Sequence, residues 1–119
     1  EIVSPSKFDL KNYFYPDLPK GFQISQYDKP ISRDGKVEIS VNGKTEIIAI
    51  NRLHLEDDAG KLVHKNGVTL CDYIRRGAPL MEIVTEPDIF SVESAKAYAE
   101  EIRRILRYGW LRIATWIRA

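Results

Sequence analysis

The sequence predicts an α+β fold, mostly antiparallel sheet with one helix near its C-terminal end. Two Asn-Gly pairs, Asn42-Gly43 and Asn66-Gly67, each separate a pair of alternating segments. Asn-Gly supplies the positive φ angles of a type I′ turn, so each pair predicts a hairpin. A capped helical period occurs in one place, Ser91 to Arg107. With 119 residues, 44% apolar and 29% charged, the chain has the material for one small globular domain with a modest core.

The charge balance narrows the function classes. A net charge of +1 gives no whole-chain field toward nucleic acid or membrane, so any such binding must come from a local patch. The lone cysteine, Cys71, excludes an internal disulfide and a cysteine-rich zinc site. It lies in an apolar run, which predicts buried filler. No signal peptide or spanning stretch is visible, which fits the cytoplasm or an organelle matrix. The chain opens at Glu1 without Met, so a piece of a longer protein is expected.

The first 21 residues carry Pro5, Pro16 and Pro19 among Phe8, Tyr13, Phe14 and Tyr15. The prolines bar a helix, and the rings predict an ordered, aromatic-pinned loop. Such a loop is more commonly stapled to its own core. The alternative is a platform for a base, with Lys7, Lys11 and Lys20 near phosphates. Residues 21–28 read as a strand stopped by Pro30, and Asp34-Gly35 marks a turn. Lys36–Val41 and Lys44–Ile50 form the first hairpin.

The returning strand is expected to run or bend into RLHLEDDAGK, residues 52–61. Strand parity sets Leu53 and Leu55 on one face and Arg52, His54 and Glu56 on the other. Beyond Glu56 the parity is not extended, because a strand end near Gly60 can bulge. The strand thus ends in a run of acids, Glu56, Asp57 and Asp58. Like charges in a row are tolerated where they are solvated, paired with cations, or holding a metal. On the residues alone, the solvated rim is the commoner outcome.

The second Asn-Gly pair brings His64 near Thr69, on the surface. Arg75 and Arg76 precede Gly77, a pairing suited to phosphate or carboxylate capture. Residues 80–88 read as a strand with Glu82, Val84 and Glu86 on one face; Glu82 there is either solvated or held beside a cation. Ser91 caps the helix, and Val92, Ala95, Ala99, Ile102 and Leu106 make its buried stripe. From Gly109 the chain turns abruptly apolar, with Trp110, Leu111, Ile113, Trp116 and Ile117.

Three long blocks carry a resemblance. SKFDLKNYFYPDLPKGFQISQYDKPI, RLHLEDDAGKLVH and DYIRRGAPLMEIVTEPD, the last followed by a helix ending in ILRY, resemble the B subunit of the aspartyl/glutamyl-tRNA amidotransferases. The resemblance covers Ser6 to Tyr108. It implies that residues 1–108 are part of the family's cradle domain, with a fold similar to glutamine synthetase and guanido kinases. It implies one member of a heterotrimer, alongside an amidase-like partner and a small third partner, that converts Glu-tRNA(Gln) or Asp-tRNA(Asn) to the amide. In that reaction the misacylated carboxylate is activated as an acyl phosphate, with ATP and Mg²⁺, and then amidated by ammonia from the amidase-like partner.

That chemistry needs hard-cation ligands and cations near developing charge. The resemblance therefore implies Glu56 and Asp57 as metal-site residues, His54 and Glu82 as catalytic neighbours, and Arg52, Lys61 and Arg75 as phosphate contacts. Tyr13 to Tyr15 would lie along the acceptor-end or ammonia route. Two positions depart from the family pattern: Asp57 stands where a second glutamate is usual, and Ile74 replaces an asparagine. Residues 109–119 depart altogether, which suggests a shifted reading frame or a truncation near Gly109. The competing expectation is an inactive fragment, or a scaffold that only docks the amidase.

Overall fold

The computed structural model describes residues 1–109. The chain runs β1 (Asp9–Asn12), β2 (Phe22–Ser25), β3 (Ser32–Val41), β4 (Lys44–Asp57), β5 (Lys61–Lys65), β6 (Val68–Asp72), β7 (Pro79–Thr85) and α1 (Val92–Tyr108). It is α+β, as expected, with antiparallel sheets and a single C-terminal helix among the described residues. β1–β2 and β5–β6 are two-stranded ribbons, and β3, β4 and β7 form a three-stranded sheet with β4 in the middle. Both Asn-Gly hairpins form. Asn42 and Asn66 each take φ 51°, followed by Gly43 at 75° and Gly67 at 74°. At Asp34-Gly35, where a turn is expected, the chain does not reverse. β3 runs through, with Asp34 at φ 52° as a local distortion that a short polar side chain tolerates.

Two compact units divide the chain. The first comprises Glu1–Arg33 and Arg52–Val84; the second comprises Asp34–Asn51 and the residues from Thr85 on.

In the first unit, Leu10 pairs with Ile24 across β1–β2, and Val63 with Leu70 across β5–β6. The loop between β1 and β2 is ordered, but its rings are not the pins. Tyr13 N donates to Gly21 O at 3.1 Å, Gly21 N to Leu18 O at 3.0 Å, and Leu18 N to Tyr15 O at 2.9 Å. Leu18 is the buried anchor, while Phe14 is 90% exposed. Cys71 is also exposed, contrary to the filler expectation, because among the described residues no layer covers the narrow β5–β6 ribbon.

The second unit holds the apolar core. Val37 and Ile39 of β3 and Ile48 of β4 are buried, with Val41, Ile50, Ile89, Ala97, Tyr98 and Ile102 packed around them. The helix begins where expected: Ser91 Oγ accepts from Ser94 N at 3.0 Å, satisfying one of the first-turn donors. Its packed face is Ala97, Tyr98 and Ile102, and Val92 stands exposed rather than opening the stripe. No described helix is long and apolar enough to cross a membrane. The proposed break near Gly109 concerns residues 110–119, which lie outside the described residues.

Candidate functional site

The site lies in the first unit. Pleating puts alternate residues of a strand on one face, so His54 and Glu56 of β4 project together. Neighbouring β7 adds Glu82. One ligand atom from each of the three lies within 4.8 Å of the others. His54 Nε2 is 3.3 Å from Glu56 Oε2 and 3.7 Å from Glu82 Oε2. Burial is graded: the side chains of His54 and Glu56 are 5% and 8% exposed, whereas that of Glu82 is 49% exposed. The group therefore has a closed floor and one open carboxylate.

Carboxylates only accept, so Nε2 is the His54 donor toward Glu56. His54 Nδ1 is buried and has no hydrogen-bond partner among the described residues. A ligating imidazole ordinarily donates its second N–H to a fixed acceptor. The three groups thus suit a divalent cation in different degrees. Glu56 and Glu82 supply the oxygen ligands that Mg²⁺ prefers, and His54 fits better as the group that holds Glu56.

Asp57 is placed elsewhere. β4 remains regular through Asp57, so its side chain falls on the opposite face from Glu56. Its carboxylate accepts from Ile24 N at 2.7 Å and forms an ion pair with Lys20. The structure therefore does not bring Glu56 and Asp57 to a common point, as the resemblance implied; strand parity separates them.

The other expected residues are also distributed. Arg52 shares the His54 and Glu56 face by parity and is half-buried. Arg75 Nε lies 3.6 Å from Asp58 Oδ2. Lys61 opens β5 opposite Asp72 and is exposed. Tyr13 stands close enough to sense the acids. Burial pushes its phenol above the ordinary value, and the charges of Asp17, Glu56 and Asp57 push it further.

The strand end is tied down on several sides. Asp58 N donates to Ala78 O at 2.8 Å, and Gly77 N donates to Asp58 O at 2.8 Å. Gly60 N donates to Asp17 O at 2.8 Å, and Tyr73 Oη donates to Pro16 O at 2.6 Å. Gly60 is glycine for a steric reason. A Cβ there would lie 2.8 Å from the Tyr73 ring and 3.0 Å from Asp17 O.

Sequence reading missed the residues that frame Glu56. Gln23, Ser25 and Gln26 are all buried. Gln23 Nε2 donates to Asp57 O at 2.7 Å, Ser25 Oγ to Glu56 Oε2 at 3.2 Å, and Leu55 N to Gln26 Oε1 at 3.0 Å. The one signal was polar residues alternating with apolar ones in 22–25, which hydropathy alone assigns to the outer face.

Comparison with known proteins adds the lineage. The chain is similar to proteins named as the B subunit of aspartyl/glutamyl-tRNA(Asn/Gln) amidotransferase. That of Geobacillus kaustophilus is 58% identical over 109 residues, and that of Bacillus licheniformis 59% over 109. That of Persephonella marina is 57% identical over 108 residues. In each case the alignment covers 91% of this chain and 23% of the relative, so the chain spans about a quarter of the length of these relatives. Residues 1–113 match the family model described as the GatB/GatE catalytic domain, and it is to this family that the chain belongs.

Proposed function

We propose that this chain forms part of the carboxylate-activating site of a tRNA amidotransferase. The substrate class is Glu-tRNA(Gln) or Asp-tRNA(Asn), and the product is the corresponding amide. The misacylated side-chain carboxylate is activated as an acyl phosphate, with ATP as phosphoryl donor. Ammonia from a partner amidase, in a heterotrimer completed by a small third partner, then displaces the phosphate. The observation that carries this reading is the convergence of His54, Glu56 and Glu82 on one face of β4 and β7.

Glu56 and Glu82 would hold Mg²⁺, whose contribution is to offset the negative charge that gathers during phosphoryl transfer. His54 donates to Glu56 Oε2 and so keeps one carboxylate oriented inside a closed floor. Exposed Glu82 is the side from which substrate approaches. Asp57 and Lys20 neutralise each other behind the strand and hold its end in place. Arg52 and Lys61 are phosphate contacts in this reading. Arg75, whose Nε lies 3.6 Å from Asp58, joins them in this reading.

The test grafts the segment aligned with this chain into the Geobacillus kaustophilus relative, in place of its own 58%-identical segment. Reconstituted with the other members of that relative's complex, the chimera should form Gln-tRNA from Glu-tRNA(Gln) in an ATP-dependent manner. Glu56→Gln and Glu82→Gln should each lower kcat by about 100-fold or more, the usual scale for lost transition-state charge stabilisation. Full activity in both variants would refute the proposal.

A further inference from the structure

We propose that Ser25 is a positioning residue that sets the direction of the Glu56 carboxylate; this rests on the reading of Glu56 as a cation ligand given above. The Ser25 hydroxyl donates to Glu56 Oε2 at 3.2 Å, and His54 Nε2 lies 3.3 Å from the same oxygen. Donors from β2 and β4 thus converge on one atom. The last torsion of a glutamate is soft and roughly two-fold, so bonds of this kind decide where its oxygens point. With Oε2 held, Oε1 carries neither bond and is the oxygen left to meet a cation.

The surrounding ties separate this role from general support of the strand. Gln26 takes Leu55 N and Gln23 takes Asp57 O, so the backbone on both sides of Glu56 is held without Ser25. Ile24 N, on the same short strand, takes the Asp57 carboxylate. Removing the serine hydroxyl therefore frees one side chain and leaves the strand in place. The ionisable side chains nearby are His54, Glu82 and, by parity, Arg52 on one face and the Lys20–Asp57 pair on the other.

The test uses the 119-residue chain with Mn²⁺ as probe, read by electron paramagnetic resonance. NMR relaxation of the Glu56 side-chain methylenes, without metal, reports its order. Ser25→Ala should raise the Mn²⁺ dissociation constant by about 10-fold or more, as loss of an outer hydrogen-bond partner generally does, and should lower Glu56 side-chain order. Ser25→Thr should restore both. Ser25→Cys, a weaker donor of similar size, should fall between. If Ser25→Ala binds Mn²⁺ like the parent while Glu56→Gln does not, this inference fails and the cation reading stands. If even the parent takes up no Mn²⁺, the cation reading fails, and relaxation decides alone. Glu56 order unchanged in Ser25→Ala then overturns the positioning role, and a loss restored by Ser25→Thr upholds it.

Discussion

Asp57 separates the expectation from the geometry most sharply, and removing its carboxylate tests which is right. Asp57→Ala loses the bond from Ile24 N and the ion pair with Lys20. A hydrogen bond to a charged group contributes roughly 1.5–3 kcal/mol. The ion pair adds little, about 0.5 kcal/mol, because Lys20 is 28% exposed and regains water when released. The bond from Gln23 survives, since it ends on the Asp57 main-chain oxygen. The net loss is about 2–3.5 kcal/mol, a fall in Tm of roughly 10 °C for a chain of this size. Asp57→Asn keeps an acceptor for Ile24 N, and should cost about 1 kcal/mol. Neither change touches His54, Glu56 or Glu82, so Mn²⁺ affinity should move by no more than about threefold, the residue of a screened charge on the far face. Circular dichroism melts and a Mn²⁺ titration on the same samples give both numbers. A chain that melts like the parent yet loses the cation would show that Asp57 is a ligand and that the parity argument fails.

The remaining predictions follow from single atoms. Tyr98→Phe should stabilise the second unit by up to about 1 kcal/mol in a neutral-pH melt, because the buried Tyr98 Oη has no hydrogen-bond partner among the described residues. The same residue carries a pH dependence. Burial raises its phenol above the ordinary 10.0, so its contribution is complete below that value and is lost as pH rises through the higher folded value. Alkaline destabilisation should therefore shrink in Tyr98→Phe, and identical alkaline profiles would disprove the assignment. Gly60→Ala should lower stability by about 1–2 kcal/mol: overpacking costs roughly 1–3 kcal/mol, and the stiffer unfolded chain returns part of it. Two of the three crowding atoms, Asp17 O and Asp72 O, are backbone and give way least. A melt at or above that of the parent would contradict this.

How much of this was legible in the sequence depends on where each residue got its neighbours. The hairpins were legible because Asn-Gly fixes backbone geometry locally, and the helix start because Ser91 caps it within three residues. His54 and Glu56 were legible as one face because strand parity carries a side chain's direction over two residues, whereas Glu82, on a separate strand, was joined to them only by the resemblance. Asp57 was not: a bulge near Gly60 was allowed for, whereas β4 runs on through Asp57. Val92 was misplaced because a helical stripe read from period alone does not show where the core stops. Cys71 was misplaced because an apolar run implies burial only if some element covers it, and the β5–β6 ribbon is covered by none among the described residues.

β2 inverts the usual rule, and the inversion has a cause. Its buried residues are Gln23 and Ser25, while Ile24 is 40% exposed. Buried polar side chains are costly unless bonded. Here they and the adjoining Gln26 are bonded, to Leu55, Glu56 and Asp57 between them, through side chains rather than a main-chain ladder. A main-chain ladder would hold the end of β4 with any sequence on β2. Side-chain ties hold it only with these residues, and they place a hydroxyl against Glu56 that a ladder has no means to supply. The outward Ile24, paired with exposed Leu10 across β1, follows from that choice. Turning the apolar face inward would bury more hydrocarbon, but would leave the acidic strand end without its donors. The orientation of one short strand thus favours the site over the core.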